Sequence, residues 1–301
     1  MPSPRPLSPR FPAPSAAALA VALSLGPGHG PAAAQQATPA AAPAAPALRD
    51  QRLSFRLDWG PAQLARIDLR LLDDGARRVA EAQGAPEGVG GVFADFELRQ
   101  RGEIRADGAR RFDARSRFGD EASTRAVRWG GPDAAAEVLD AGPPPEAPLT
   151  PIPPGEMSGA VSPAEAALAM LDQAAAGEGC GGLHRMFDGV RRLNMTVIDE
   201  GPDRLEADRD WTYSGPAHRC RIRFERIGGF PAEDDDAAAP PARGRGDRDG
   251  PSGFGRSRSR TAESDYDRLL WLAPLPGGMA PVRLRIEWPL GYVTARIDLG
   301  E

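Results

Sequence analysis

Short runs in which apolar and polar residues alternate recur along this chain from residue 51 to residue 299. Apolar residues occupy every second position in Leu53–Trp59, and the same spacing returns in Val282–Trp288. Such alternation is typical of a strand that buries one face and exposes the other. Many short strands at close spacing favour an antiparallel sheet, because tight turns join antiparallel neighbours directly.

The remaining strand predictions rest on the same alternation or on short apolar runs. We predict strands near residues 67–71, 77–83, 92–99, 111–118, 124–129, 135–139, 183–187, 190–198, 269–273 and 293–299. Turn residues separate several of them, at Gly60-Pro61, Asp74-Gly75, Asp107-Gly108 and Gly130-Gly131. Glycine and proline interrupt regular structure, so these pairs mark where one strand gives way to the next.

One segment has the pattern of a helix. Ser162 is a favourable N-cap, Pro163 suits the first helical position, and Glu165 completes a capping box. Gly177 and Gly179 are expected to end the helix. The predicted buried face consists of Ala167, Leu168, Leu171 and Ala175.

The predicted elements favour one fold class. Most strands are apolar on one face, and one main helix is available to cover that face. We therefore predict an α+β, mostly β protein, in which a curved antiparallel sheet forms a half-barrel wrapped around the helix.

The N-terminal residues resemble a secretory signal. Arg5 and Arg10 precede an apolar stretch at 15–26, and alanines at 32–34 match a cleavage site. The apolar stretch is shorter than the roughly 20 residues that a spanning helix needs. We predict that residues 1–34 are a signal peptide and that the protein is periplasmic.

The composition of the remaining chain divides it further. Residues 35–50 are rich in proline and alanine and are predicted to be a flexible linker. Residues 51–301 form the predicted β-rich domain, in which 142–154 holds seven prolines and is expected to be an extended connector. Residues 231–265 carry an acidic run and then a basic run with few apolar side chains, which predicts a disordered insertion.

The charged residues exclude several function classes. All basic side chains are arginine, so lysine general bases, Schiff bases and phosphate-loop lysines are absent. The net charge is −5, which makes broad attraction to nucleic acid improbable.

Two cysteines bracket a stretch in the second half of the chain. Cys220 shares the apolar face of its strand with Ile222 and Phe224, and Cys180 directly follows the predicted helix. A Cys180–Cys220 disulfide is the favoured interpretation for an exported protein. A zinc site that also uses His184 and His218 is the alternative, although the spacing is unusual for zinc, and an unpaired thiol pair is a third.

Asp188 and Gly189 predict a two-residue type I′ hairpin turn, because both residues tolerate a positive φ. The strands on either side are the predicted ones at 183–187 and 190–198. A role for Asp188 as a hydrolase acid is the weaker hypothesis, since the turn accounts for the residue.

Five arginines lie on the polar faces of their predicted strands and form a candidate anion-binding face. They are Arg219, Arg221, Arg223, Arg283 and Arg285. Such a face would suit the phosphates of a lipid or of an envelope polymer. The alternative, which the acidic composition favours, is a solvated face where arginines pair with Asp and Glu across strands.

No catalytic pattern is evident in the sequence. Beyond residue 34 the chain contains two histidines, His184 and His218, and it has no G-x-S-x-G motif around a serine nucleophile. We therefore expect no enzyme, no cofactor and no metal, and we name no catalytic residues.

The second half of the chain resembles a known family. The pattern C-x6-F-D-G-x-R-R-L at Cys180 to Leu193, the segment Ser214 to Phe230 and the ending Leu272 to Gly291 resemble the bacterial domain of unknown function 3108. The resemblance covers roughly Leu53 to Leu299 and departs at the insertion 231–265. It implies an exported envelope protein without known catalytic residues, and fold analogy suggests the half-barrel of the periplasmic lipoprotein carriers.

These features predict a non-enzymatic periplasmic binding or carrier protein for an apolar or lipid-like ligand, held in an apolar cavity between helix and sheet. The alternative is a structural or assembly factor that binds another envelope protein through its sheet. A hydrolase is the third hypothesis. No transmembrane segment is expected in the chain, and the sequence does not indicate an oligomeric state.

Overall fold

Thirteen strands and two helices make up the part of the chain that the computed structural model describes. The described residues are 50–93, 95–131, 134–145, 147–231, 268–288 and 291–300. The strands are β1 (Gln51–Trp59), β2 (Ala62–Asp73), β3 (Arg77–Pro86), β4 (Phe96–Arg105), β5 (Arg110–Phe118), β6 (Glu121–Trp129), β7 (Glu137–Asp140), β8 (Gly182–Phe187), β9 (Arg192–Leu205), β10 (Gly215–Gly228), β11 (Arg268–Leu275), β12 (Gly278–Trp288) and β13 (Gly291–Asp298). The helices are α1 (Gly90–Phe93) and α2 (Pro163–Ala175).

All the strands belong to one antiparallel sheet, in the order β7-β6-β5-β4-β3-β2-β1-β13-β12-β11-β10-β9-β8. Strands β1–β7 form one meander and β8–β13 form another. The pairing of β1 with β13, in which Phe55 lies opposite Ile297, joins the two meanders. Strands β7 and β8 are the two ends, so the sheet is not closed. The predicted fold class, a mostly β protein with one large open antiparallel sheet, is confirmed.

The alternation predicts the strands well because one face of most of them is buried. The prediction for residues 92–99 is partly wrong. Gly90–Phe93 forms the short helix α1, and β4 begins only at Phe96. The reason is local: the N–H groups of Gly90, Gly91 and Val92 donate to carbonyls three residues earlier in the chain, which coils the backbone into a helical turn.

Helix α2 begins and ends as predicted. The Ser162 side chain accepts a hydrogen bond from the Glu165 backbone N–H, and Glu165 accepts one from the Ser162 N–H, which completes the capping box. At the other end the N–H groups of Gly177 and Glu178 donate to the carbonyls of Ala174 and Gln173. Gly177 has φ +77°, so the helix ends in a Schellman motif.

The buried stripe of α2 is wider than predicted. Leu168 and Leu171 are buried as expected, whereas Ala167 and Ala175 are only half-buried. The other buried residues of the helix are Pro163, Ala166, Met170 and Ala174. The stripe is wide because the curved sheet contacts α2 from two sides, with β3 and β4 on one and β8, β11 and β12 on the other.

The space between α2 and the sheet is filled with side chains. Leu168, Phe224 and Leu272 pack there together with both cysteines, and each is at most 1% exposed. Close packing extends to the start of the helix, where a Cβ atom on Gly102 of β4 would lie 2.2 Å from the Ala164 Cβ. The predicted apolar cavity is therefore not observed among the described residues, because large side chains from helix and sheet occupy its place.

The two ends of the sheet approach each other. Val161 lies beside β8: its N–H donates to the Arg185 carbonyl at 2.8 Å, and its carbonyl accepts from the Phe187 N–H at 2.8 Å. Phe187 in turn packs in one cluster with Val127 and Trp129 of β6. The open sheet is thus curled enough for side chains from its opposite ends to share a core.

The segments outside the sheet add little regular structure. The described residues of the connector 142–154 contain no helix or strand, although Leu149 forms an isolated bridge with Pro231. The predicted signal peptide, the linker as far as residue 49 and the insertion 231–265 beyond Pro231 lie outside the described residues. Within the described residues, no helix is long and apolar enough to cross a membrane.

Candidate functional site

The F-D-G-x-R-R motif forms the loop between β8 and β9. The predicted two-residue turn is wrong, because β9 begins only at Arg192 and the loop has four residues. The side chain of Asp188 accepts hydrogen bonds from the N–H groups of Val190 (3.0 Å) and Arg191 (2.7 Å). A carboxylate that caps these backbone groups favours the longer loop. Asp188 also forms ion pairs with the side chains of Arg125 and Arg191. Because these contacts occupy its carboxylate, Asp188 has a structural role.

Arg192, the last arginine of the motif, is completely buried. Its guanidinium donates to the Glu156 carbonyl oxygen at 2.6 Å and to the Asn194 side chain at 2.9 Å, and it pairs with the Glu156 carboxylate at 3.2 Å. A buried charge is tolerated only when it is satisfied in this way. The motif that carries the family resemblance therefore ties the β8–β9 loop to the segment before α2.

The predicted disulfide between Cys180 and Cys220 is present, with the two Cα atoms 6.2 Å apart. It links the end of α2 to the sheet that covers the helix.

The zinc set proposed as its alternative is not assembled. The ligand atoms that come within 4.8 Å of one another among the described residues belong to Cys180, Asp199 and His218, and His184 is not among them. His184 lies on β8 opposite Met195, and burial lowers the pKa of its imidazole.

Most of the five predicted arginines pair with carboxylates. Arg219 and Arg221 share Glu200, at 2.7 Å and 2.6 Å, and Arg283 contacts Asp208 at 3.4 Å. Arg223 likewise has an interaction partner. Arg219, Arg221 and Arg283 thus each form an ion pair with a carboxylate from another part of the fold.

Arg285 differs from the other four. Its guanidinium carbon lies 4.6 Å from the centre of the Tyr292 ring and 5.8 Å from that of Trp271. No carboxylate of the described residues forms an ion pair with it. Arginine stacks well on aromatic rings while its N–H groups, which lie in the guanidinium plane, stay available to other acceptors. The half-buried Arg285 side chain is thus held in place by rings, and no carboxylate of the described ranges forms an ion pair with its donors.

Arg285 lines a cleft at the ends of two neighbouring hairpins, which we call the Arg285 cleft. Its volume is about 340 Å³, and its lining residues are Asp58, Trp59, Gly60, Arg285, Gly291, Tyr292, Thr294 and Arg296. The hairpins meet because β1 pairs with β13, which places Asp58 opposite Thr294. Trp59 and Tyr292 are 41% and 48% exposed, so two aromatic side chains border the cleft at the protein surface.

The other charged residues of the cleft are paired. Arg296 bridges Asp58 at 3.0 Å and Asp208 at 2.8 Å. Burial raises the pKa of the Asp58 carboxyl, and the neighbouring Arg296 acts in the opposite direction. The lining thus contains two arginines and one aspartate, and Arg285 is the arginine that forms no ion pair within the part of the chain that the structure describes.

A second cleft of about 510 Å³ lies next to the first. It is lined by Asp208, Arg209, Asp210, Trp211 and Gly300. Asp208 lines the second cleft and pairs with Arg296, which lines the first. Arg56 stacks over the Trp211 ring at 4.3 Å and also forms an ion pair with Asp298 at 2.8 Å. Arginines, aromatic rings and aspartates therefore alternate along this surface.

The sequence did not indicate the aromatic part of the cleft. Alternation placed Trp59 in line with Leu53, Phe55 and Leu57, which predicts burial, yet Trp59 is exposed. The strand ends at Trp59, next to the turn at Gly60. The position of these two rings in the sequence was the one signal that could have indicated the cleft. Trp59 precedes Gly60 and Tyr292 follows Gly291, so each aromatic residue lies next to a glycine with positive φ.

Comparison with known proteins shows similarity to solved structures but to no family. No protein-family profile and no curated protein sequence matches the chain. One similar solved structure is a β-barrel-like protein of the domain of unknown function 1849 from Brucella abortus, with 11% sequence identity and a TM-score of 0.45. The match covers 84% of this chain and 97% of that one.

Proposed function

We propose that this chain is a non-enzymatic binding protein of the cell envelope. Its ligand carries an anionic group, a carboxylate or a phosphate, which the guanidinium of Arg285 binds. An apolar part of the same ligand packs against the exposed rings of Trp59 and Tyr292. The proposal keeps the expected class of ligand, a lipid-like envelope component, and moves its site from the interior to the surface.

The packed interior supports this change of site. Large apolar side chains occupy the space between α2 and the sheet, and both described clefts lie elsewhere. Opening an internal cavity would require the displacement of residues such as Leu168 and Phe224. Each buried side chain of this size contributes roughly 1.5–3 kcal/mol by its burial, so an interior site would carry a large cost.

The observation that carries the proposal is the environment of Arg285. Aromatic rings hold the guanidinium at the border of a cleft, and no described carboxylate neutralises it. Carboxylates and phosphates match the planar donors of arginine and form charge-assisted hydrogen bonds with them. The exposed aromatic rings at the same cleft add apolar contact area for the rest of the ligand.

Two expectations from the sequence form part of this proposal. The resemblance to the bacterial domain of unknown function 3108 supports an exported envelope protein, and the signal-like residues 1–34 support a periplasmic location. The absence of a recognisable nucleophile–base pair in the sequence supports a binding role.

Isothermal titration calorimetry with defined amphiphiles tests the proposal. Decanoate and decyl phosphate, below their aggregation concentrations, supply the two anions on one apolar chain. Decanol and decyltrimethylammonium supply the same chain without an anion. We expect binding of at least one anionic probe and at least tenfold weaker binding of the neutral and cationic ones. Equal binding of all four probes would contradict the role of Arg285.

Two variants locate the binding site. Arg285→Gln should weaken binding of the anionic probe at least tenfold, which corresponds to about 1.4 kcal/mol. Arg221→Gln is the matched control, because Arg221 lies on the same face of the sheet but pairs with Glu200. Its affinity should stay within twofold of the unmodified protein. Loss of binding in both variants would show a diffuse electrostatic effect.

The edge strand β7 supports a second candidate function, as an assembly factor. Its four residues are all exposed, including the apolar Val138 and Leu139, and it forms one end of the open sheet. An edge of this kind can accept a strand from another protein. A photo-crosslinker at Leu139 should then capture one envelope protein in cells, and Val138→Pro should abolish the adduct. No adduct, or an adduct that persists with Val138→Pro, would refute this function.

A further inference from the structure

The disulfide lies beside two further metal-ligating side chains. The Nε2 atom of His218 is 2.5 Å from an Asp199 carboxylate oxygen, and ligand atoms of both residues lie within 4.8 Å of the Cys180 sulfur. Cys220 lies directly opposite Asp199 in the β9–β10 pairing, and His218 precedes it by two residues on the same strand. Residues opposed in a register, and residues two apart on a strand, share one face of a sheet. Three potential ligands, from Cys180, Asp199 and His218, therefore lie together, and the fourth, the Cys220 sulfur, is bonded to the Cys180 sulfur.

We propose that reduction of the Cys180–Cys220 disulfide creates a zinc site at this point. The ligands are the two sulfurs, one imidazole nitrogen of His218 and one carboxylate oxygen of Asp199. In the oxidised protein both sulfurs are bonded to each other, so neither is available as a thiolate, the form that binds metal. Oxidation and reduction of one bond thus decide whether the site exists.

The reduction is a thiol–disulfide exchange with an external dithiol. One thiolate of the dithiol attacks a cysteine sulfur, the Cys180–Cys220 bond breaks, and a mixed disulfide forms. The second thiol of the reductant then displaces the remaining protein sulfur. Two electrons and two protons pass to the protein, and the reductant leaves as a disulfide. Zinc binding next releases the two thiol protons to solvent, and the metal keeps its oxidation state.

The donor set fits zinc. Zinc prefers four ligands in a tetrahedron and takes thiolate, imidazole and carboxylate, with Zn–S distances of about 2.3 Å. Two sulfurs on one tetrahedral zinc stand about 3.8 Å apart. The two sulfurs, which are bonded to each other in the oxidised protein, must therefore move apart after reduction. Gly179 and Gly181 flank Cys180, and glycine leaves the backbone on either side more conformations than other residues do.

The surrounding backbone leaves room for the carboxylate and a path for the ion. A Cβ atom on Gly179 would lie 1.8 Å from an Asp199 carboxylate oxygen, so the carboxylate occupies space that only glycine leaves open. Both cysteines are fully buried, whereas the side chains of Asp199 and His218 are 36% and 25% exposed. An ion therefore reaches the sulfurs from the side of Asp199 and His218.

Cobalt spectroscopy on the full-length protein tests the site. The protein is reduced with dithiothreitol without oxygen, desalted and titrated with Co²⁺. We expect one equivalent to bind, with a thiolate-to-cobalt absorption band and visible bands of tetrahedral cobalt, and Zn²⁺ should displace it. The oxidised protein should show neither band. Absence of the bands in the reduced protein would overturn the proposal, whether or not that protein stays folded by circular dichroism.

Variants distinguish metal binding at this site from non-specific metal binding by a partly unfolded protein. Asp199→Asn and His218→Gln should each weaken cobalt binding by at least tenfold, and Cys180→Ser should abolish the paired thiolate signal. His184→Gln is the matched control, because His184 lies outside the ligand group, and it should leave affinity within twofold. If His184→Gln lowered affinity as much as His218→Gln, the proposed ligand set would be wrong. Zn²⁺ should also raise the Tm of the reduced protein alone.

Discussion

Arg125 of β6 forms an ion pair with Asp188 in the β8–β9 loop, although the two residues lie near opposite ends of the sheet. Asp188 is 3% exposed, so the pair is largely removed from solvent. Close contact continues at Gly189, where a Cβ atom would meet Val127 at 3.0 Å. The ion pair and the packing around it link the two ends of the open sheet side by side.

Removal of the Arg125 side chain should destabilise the protein. Arg125→Met is expected to lower the free energy of unfolding by about 2 kcal/mol, because Asp188 then stays buried with one charged partner fewer. The loss is smaller than the ~3–5 kcal/mol typical of a broken buried pair, since Arg191 still contacts Asp188. Urea denaturation measures the change.

Arg128→Met is the control on the same strand. Arg128 pairs with Glu137, and both side chains are 56% exposed. An exposed pair contributes little, so this substitution should change the free energy of unfolding by less than about 0.5 kcal/mol. Similar losses in the two variants would show that the link between the sheet ends adds no stability of its own.

Loss of the disulfide should have a larger effect. Cys180→Ser is expected to lower the free energy of unfolding by about 4 kcal/mol, because the bond closes a long loop, with a sequence separation of 40. The double variant with Cys220→Ser should lose about as much, since the same bond is absent. Denaturation of the oxidised proteins tests both. A double variant that is far less stable than Cys180→Ser would mean that the Cys220 side chain matters beyond the bond.

The buried imidazole of His184 should make stability depend on pH. Burial lowers the pKa of His184 below its usual 6.5, so the unfolded chain binds a proton more readily than the folded protein. Stability is then complete above about pH 6.5 and decreases as the pH falls towards the folded-state pKa. His184→Leu should flatten the part of the profile below pH 6.5. Parallel profiles for the two proteins would refute a contribution from His184.

Export is tested directly on protein from the producing cells. The signal-like N-terminus predicts that the mature chain begins at or near Gln35 and is recovered in the periplasmic fraction. N-terminal sequencing and fractionation supply the measurement. Recovery of the protein in the cytoplasm with residues 1–34 still attached would contradict the predicted location.

The local elements could be predicted from the sequence because their signals are local. Ser162, Pro163 and Glu165 mark the helix start by hydrogen bonds that reach no further than one turn. Alternation marks strands such as β10, where Cys220, Ile222 and Phe224 are all buried. The same alternation, together with the end of the helix, was sufficient to suggest the disulfide.

Which residues lie together on the surface was decided by tertiary structure. The sequence treated Arg285 and Arg283 as equivalent, since both lie on the polar face of β12. The fold brings Asp208 to Arg283, and it brings two aromatic rings to Arg285. These partners come from other strands and from the β9–β10 loop, so no spacing within β12 could distinguish the two arginines.

By itself, the sequence determined the fold class, most of the strands and the main helix, and it favoured the disulfide over the alternatives, because hydrophobic period, caps and residue types act locally. Only the tertiary structure decided that Trp59 is exposed, that the core is filled, and that Asp199 lies beside the disulfide. Burial and charge pairing depend on which strands become neighbours. That arrangement results from the packing of the whole sheet around α2, and no short stretch of sequence contains it.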